Sequence, residues 1–160
     1  MTETLADLGE AELLRRLAGF APAGQFSDDT ACLRSDERQL VVNTDVLVDG
    51  IHFSEQTTDA QDVGWRAVAA NLSDLAASGA EQVEGITVAL VTPGNTTWTW
   101  VEGVYQGITA ALQCHGGDLL GGDCSGGQQR LLSVTALGRL GPLRLHRGDA
   151  QPGDVLLTSG

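Results

Sequence analysis

Residues 40–52 read Leu-Val-Val-Asn-Thr-Asp-Val-Leu-Val-Asp-Gly-Ile-His, and the fold is best worked out from this stretch. The first three residues are apolar β-formers typical of a buried strand. Asn43, Thr44 and Asp45 then place three oxygen-bearing side chains at the end of that strand. Polar side chains in an apolar run are costly to bury without a partner, and a hard cation is one such partner. An Asx-type turn after the strand is the alternative interpretation.

The composition indicates one acidic domain. Its 160 residues, 42% of them hydrophobic, are enough to form a core. The net charge of −12 disfavours nucleic acid and anionic membranes as partners. No apolar run reaches the roughly 20 residues of a membrane helix, and the N-terminus lacks a signal-peptide pattern. The three cysteines form no C-x-x-C pair, so we expect a reducing, cytoplasmic location.

Lysine is absent, and all nine basic residues are arginines. A P-loop and a protein-kinase nucleotide site each depend on a lysine, so the chain uses neither device. If it binds a nucleoside triphosphate, metal ions, arginine and backbone N–H groups must meet the phosphate charge.

Hydrophobic periodicity predicts an α/β (α+β) layer, in which long helices cover one face of a mixed sheet. The helix predicted at residues 60–78 is apolar on two sides, so we expect it to be sandwiched. The remaining helices are predicted at residues 8–17 and 98–115. Strands are predicted at residues 31–33, 40–42, 84–92, 118–123, 131–140 and 155–158.

Acidic side chains occur in four separate segments, at Asp28-Asp29, Asp45, Asp74 and Asp123. Asp74 has alanines as its helical neighbours at i−7, i−4 and i+3, where an unpaired carboxylate is expensive. The alternative is an aspartate exposed at the sheet edge. The Gly-Gly pair before Asp123 allows a ligand to approach the backbone closely, although the motif alone favours a simple glycine-rich turn.

The other candidate residues each allow two interpretations. His52 follows a glycine turn, and it is either a hydrogen-bonded loop histidine or a substrate contact. Arg147 belongs to a basic patch that is either a solvated loop or a phosphate clamp. Cys114, His115 and Cys124 offer zinc-ligand chemistry, but their spacing fits no common zinc site.

Five segments in this order resemble the thiamine-monophosphate kinases, within the aminoimidazole-ribonucleotide-synthetase-like superfamily. They are Ser-Asp-Asp-Thr-Ala at 27–31, Asn-Thr-Asp-Val-Leu-Val-Asp-Gly-Ile-His-Phe at 43–53, Asn-Leu-Ser-Asp-Leu-Ala-Ala-Ser-Gly-Ala at 71–80, Gly-Gly-Asp at 121–123 and Arg-Gly-Asp-Ala-Gln-Pro-Gly-Asp at 147–154. The resemblance runs from about residue 20 to residue 160. The segments at 43–53 and 71–80 are specific, whereas Gly-Gly-Asp alone is not.

The resemblance implies in-line transfer of the γ-phosphate of ATP to thiamine monophosphate, with several Mg²⁺ ions and no side-chain nucleophile. It also implies a homodimer in which two sheets pair into a barrel, through strands near residues 40–44 and 86–91. By motif position, magnesium would be held by Asp29, Asn43, Thr44, Asp45, Asp74 and Asp123. ATP would be contacted by Tyr105, Gly122, Asp123 and Arg147, and the thiamine substrate by His52.

The resemblance also implies a division of the chain. Residues 1–20 would form an N-terminal helical segment, residues 21–142 the ATP- and magnesium-binding domain, and residues 143–160 the start of a connection to a C-terminal domain. That second domain is absent from these 160 residues, so we expect the chain alone to be a weak or inactive kinase.

Two residues depart from the family pattern. Ser27 stands where a glycine is usual, and Asn43 where a serine or threonine is usual, although Asn43 still offers a hard oxygen. Two alternatives therefore stay open. One is another ATP-using enzyme of the superfamily, such as a selenophosphate synthetase or a hydrogenase-maturation protein. The other is a non-catalytic, nucleotide-binding dimerisation module.

Overall fold

The computed structural model describes residues 11–12, 15 and 39–158, and the backbone alone for residues 31–33. Of the helix predicted at residues 8–17, only Ala11, Glu12 and Arg15 are described, and they are helical. Ser27, Asp28 and Asp29 lie outside the described residues. Within the described part, neither long helix has the length and apolar character needed to cross a membrane.

Five strands form one mixed sheet in the order β1-β2-β5-β3-β4. The pairings β1–β2, β2–β5 and β5–β3 are antiparallel, whereas β4 joins the far side of β3 in parallel. Two long helices connect the strands, which confirms the predicted α/β layer. The strands are β1 (Ala31–Leu33), β2 (Leu40–Val48), β3 (Ala80–Thr92), β4 (Asp118–Gly126) and β5 (Leu131–Leu140), and the helices are α1 (Ala60–Ala77) and α2 (Trp98–His115).

Each of the two long helices begins at a polar cap and is followed within two residues by a glycine. The Asp59 carboxylate accepts a hydrogen bond from the Asp62 N–H at 2.8 Å, and the Thr97 hydroxyl accepts one from the Trp100 N–H at 3.3 Å. Gly79 follows α1 with φ 89°, in the left-handed region where glycine ends a helix without strain. These local signals explain why the predicted helix bounds were nearly right.

Both helices lie on the same side of the sheet. Helix α1 packs directly against β2, β5 and β3, and α2 packs against α1, which confirms the prediction that α1 is sandwiched. The shared core is built from the inward side chains of three strands and the facing stripes of the two helices. Its fully buried members include Val41, Val63, Val68, Ile86, Val88, Val104, Ile108, Leu132, Val134 and Ala136.

The two helices touch backbone to backbone at a pair of glycines. A Cβ atom on Gly64 would lie 1.9 Å from the Val104 carbonyl oxygen, and one on Gly107 would lie 1.9 Å from the Gln61 carbonyl oxygen. Any side chain at either position would push the helices apart, so the close approach depends on glycine.

The sheet face opposite the helices has no helix over it in the part of the chain that the structure describes. This open face carries Val42, Thr44 and Val46 of β2, alternating with the buried residues of the same strand. The Thr44 and Thr135 hydroxyls hydrogen-bond across it at 2.8 Å. The surface is therefore a mixture of apolar and hydroxyl side chains.

Three predicted strand boundaries and one predicted strand were wrong. The polar triplet at 43–45 does not end β2, which continues to Val48 because every residue from Leu40 to Val48 pairs with β5. Polar side chains are accommodated because they alternate between the two faces. Residues 155–158 are not a strand: no described strand pairs with them, and Leu156 is 93% exposed. Strands β3 and β4 are also longer than predicted, beginning at Ala80 and ending at Gly126 respectively.

Candidate metal and substrate site

A polar cluster lies where β2 passes beneath α1. Alternation along β2 turns Asn43 and Asp45 toward α1. The Asn43 side-chain amide donates to Asp74 Oδ2 at 3.0 Å and to the Asn71 carbonyl oxygen at 3.3 Å. The structure therefore brings together three of the residues predicted from sequence to hold metal: Asn43, Asp45 and Asp74.

Asn71 joins the strand to the helix, and the sequence analysis gave it no role. Its side chain is fully buried. Its Oδ1 accepts a hydrogen bond from the Asp45 N–H at 3.2 Å, while its Nδ2 donates to the Ala67 carbonyl oxygen at 2.9 Å. The available signal was a polar residue on the buried stripe of α1, one turn before Asp74.

The electrostatics of the cluster are set by the burial of Asp74 and by the neighbouring Asp45 charge. Burial raises the pKa of the Asp74 carboxyl, the Asp45 charge raises it further, and the hydrogen bond from Asn43 acts in the opposite direction. Asn43 Oδ1 is buried without a hydrogen-bond partner in the described structure. Two carboxylates and an unpaired amide oxygen are hard donors, so the chemistry of this cluster fits a divalent cation such as Mg²⁺.

The other predicted metal ligands lie elsewhere. Thr44 projects onto the open face, away from Asp45. Strand pairing aligns Asp123 with Ala89 and Ser133, and so with that same open face. Asp29 lies outside the described residues. Among the residues that are described, no three acidic, histidine or cysteine side chains form a metal-binding group, a finding that covers Cys114, His115 and Cys124.

The residues predicted to contact ATP are placed on α2, on β4 and after β5. Burial raises the pKa of the Tyr105 hydroxyl, and so does the nearby Cys124. Gly122 lies two residues before Cys124 on β4. A Cβ atom on Gly122 would lie 1.9 Å from the Val88 carbonyl oxygen. Only glycine permits that approach of β4 to β3. Arg147 begins an exposed 3₁₀ turn, Arg147–Asp149.

His52 lies in the tight loop between β2 and α1. Gly50 turns the chain there with φ 77°, and the His52 N–H donates to the Val48 carbonyl oxygen at 2.8 Å. The imidazole Nδ1 accepts a hydrogen bond from the Val48 N–H at 3.0 Å. The His52 side chain is exposed at the surface of this loop, where it can meet a ligand.

Comparison with known proteins adds to this geometry. Residues 27–140 match the family model of the AIR synthase related protein, N-terminal domain. Thiamine-monophosphate kinase from Prochlorococcus marinus is 58% identical over 99% of this chain and 47% of its own length. The corresponding protein from Synechococcus elongatus is 48% identical over 98% of this chain and 48% of its own length. The chain thus spans about half the length of these curated relatives.

A solved structure shows the same fold. AaThiL complexed with AMPPCP and TMP superposes with a TM-score of 0.82 at 29% identity. The superposition covers 87% of this chain and 44% of that one.

Proposed function

Because the chain belongs to the AIR synthase related protein family and matches the N-terminal domain of that family, we propose that it forms part of a thiamine-monophosphate kinase. The proposed reaction transfers the γ-phosphate of ATP to thiamine monophosphate and yields thiamine diphosphate. Two relatives carry that kinase name, and the related AaThiL structure holds an ATP analogue with TMP. The structural observation that carries the proposal is the pair of hydrogen bonds from Asn43 to Asp74 and from Asp45 to Asn71, since they join the two specific sequence segments.

Magnesium is the proposed metal. Asn43, Asp45 and Asp74 would hold one ion on the helix side of β2. Thr44 and Asp123 both lie on the open face, but β5 and β3 separate their strands, so each would face a different ion. Asp29 remains a proposed ligand on its motif position alone. When bound, such ions neutralise the charge of the transferring phosphate oxygens. This division between two sheet faces supports several ions rather than one.

The chain's own residues would position the substrates. Tyr105, Gly122, Asp123 and Arg147 are proposed ATP contacts, and His52 is the proposed thiamine-phosphate contact. Phosphoryl transfer depends mainly on position and charge neutralisation, so we propose no side-chain nucleophile. We also propose a cytoplasmic location, because the three cysteines of the sequence form no C-x-x-C pair.

Removal of divalent ions tests the proposal directly. In calorimetry with the kinase that contains this chain, ATP should bind in excess Mg²⁺ and bind at least about tenfold more weakly in excess chelator, a difference of roughly 1.4 kcal/mol. Thiamine monophosphate should then be turned over only in the magnesium sample. Equal ATP affinity in both conditions contradicts the metal-bridged site, and binding without turnover favours the non-catalytic module.

We also propose a homodimer assembled through the open sheet face. That face exposes Val46 at 40%, beside threonine and further apolar side chains, and a second copy is the proposed cover. Sedimentation of the 160-residue chain at micromolar concentration should give a dimer. Val46→Asp should shift it to monomer, whereas Leu156→Asp, at an exposed position away from the sheet, should leave the dimer intact. A wild-type monomer contradicts the assembly.

A further inference from the structure

The His52 ring is held in one tautomer by its own strand. Because Nδ1 accepts the Val48 N–H at 3.0 Å, the proton of the neutral imidazole must be on Nε2. The His52 carbonyl oxygen is also fixed, since it accepts a hydrogen bond from the Arg66 guanidinium at 2.5 Å. The loop therefore presents Nε2–H as an oriented hydrogen-bond donor.

Arg130, which immediately precedes β5, anchors this loop. Its carbonyl oxygen accepts the Asp49 N–H at 3.0 Å. Its guanidinium forms an ion pair with Glu55 and lies 4.0 Å from the Asp49 carboxylate. The neighbouring Gln129 side chain donates to the Asp49 carbonyl oxygen. Both ends of the loop that carries His52 are thus tied to the same short segment.

An aromatic stack supports the same guanidinium. Arg130 lies over the Trp100 ring, 4.6 Å from its centroid, and its side chain is only 17% exposed. Trp100 stacks in turn on Phe53, with ring centroids 6.2 Å apart, and Phe53 directly follows His52. A planar guanidinium suits both the stacking and the two carboxylates, whereas a lysine ammonium has neither a plane to stack nor a fork of donors.

We propose that Arg130 is a positioning residue, which holds the loop at residues 49–55 so that His52 Nε2–H is aimed at an oxygen atom of the phosphorylated substrate. This proposal deepens the proposed function, because it takes His52 as the substrate contact. Arg130 itself touches no substrate in this scheme. Its effect passes through Trp100 and Phe53 on one side and through Asp49 and Glu55 on the other.

Nitrogen NMR of ¹⁵N-histidine-labelled protein tests the positioning without any enzymatic assay. The wild-type chain should show His52 as a single Nε2–H tautomer. Arg130→Gln should give signals averaged over both tautomers, because the loop is released. Arg139→Gln is the matched control, since Arg139 lies at the other end of β5 with its own ion pair to Glu84 at 2.5 Å, and it should leave His52 unchanged.

Unchanged His52 signals in folded Arg130→Gln would overturn the proposal. If that variant does not fold, Arg130→Lys and Glu55→Gln each remove part of the anchor, by loss of the stacked plane or of the loop-side charge. Each should then shift His52 toward the averaged signal, and a wild-type signal in both also overturns the proposal.

Kinetics of the kinase that contains this chain give the functional readout. Arg130→Gln should raise KM for thiamine monophosphate by up to about 10²-fold, the cost of a misplacement of about 1 Å, with KM for ATP unchanged. Equal rises in both KM values contradict a specific role at the thiamine substrate. If the wild-type enzyme shows no turnover, the proposed function fails, while the NMR result still decides the positioning role.

Discussion

Asp74→Asn should lower kcat of the proposed kinase by at least about 10²-fold, the scale of a lost electrostatic stabiliser. The amide keeps the size of the side chain and can still accept the hydrogen bond from Asn43. It removes the charge that would hold a cation beside Asp45. Steady-state kinetics at saturating ATP and magnesium measure the effect.

The same substitution should stabilise the fold at neutral pH. The pKa of Asp74 is raised in the folded state above its ordinary value of 3.8, chiefly by burial. The folded state therefore holds this proton more tightly than the unfolded state, and the resulting stability is present at low pH and lost as pH rises through the raised pKa. Urea unfolding should show Asp74→Asn to be more stable than wild type at pH 7. The difference in stability should shrink as the pH falls below the ordinary pKa of 3.8.

Asp118→Asn provides the matched control, since Asp118 is an exposed carboxylate at the first position of β4. It should change neither turnover nor unfolding appreciably. Wild-type turnover in Asp74→Asn would instead support the alternative interpretation, in which Asp74 is an exposed aspartate with no metal role. A loss of activity with unfolding would mean that the carboxylate is structural.

Gly107→Ala should destabilise the protein by about 1–3 kcal/mol, the usual cost of forcing a methyl group into a packed interior. Intrinsic propensity alone predicts the opposite, since alanine is about 1 kcal/mol better than glycine inside a helix. Packing dominates because the new Cβ would lie 1.9 Å from the Gln61 carbonyl oxygen. Gly64→Ala, at the reciprocal contact with Val104, should behave in the same way.

Ala110→Gly isolates the propensity term, because Ala110 is exposed on the same helix. It should cost roughly 1 kcal/mol by the helix scale. Glycine is then unfavourable at position 110 and favourable at position 107. Urea unfolding at one pH should therefore show that both Ala110→Gly and Gly107→Ala lower the free energy of unfolding. A more stable Gly107→Ala would show that the two helices do not meet backbone to backbone.

Local patterns predicted the helices and the fold class well. The helix at residues 98–115 and the strand at residues 131–140 were placed at their observed bounds, because periodicity and caps are properties of neighbouring residues. The end of the strand at residue 42 was wrong for the opposite reason. The partner that keeps β2 extended to Val48 is β5, far along the chain, and no local signal reports that pairing.

For the candidate site too, the local sequence did not reveal contacts between distant segments. The alanine face around Asp74 predicted that this carboxylate needs a partner, and the Asn43 amide is one. What the sequence did not reveal was the fully buried bridge made by Asn71, or the side of the sheet on which each polar residue lies. Thr44 and Asp45 are neighbours in sequence yet project to opposite faces, since a strand alternates.

The central position of β5 has a consequence for synthesis on the ribosome. Leu40 pairs with Arg139 and Val48 pairs with Leu131, so β2 emerges long before its partner. At roughly 5–20 residues per second, its apolar ladder stays unpaired on one side for several seconds. Strand pairing that waits for distant sequence is slow and exposed to aggregation. In the nascent chain, the edge of β2 that pairs with β5 is therefore open to non-native pairing for longer than the corresponding edge of β3, which lies closer to β5 in sequence.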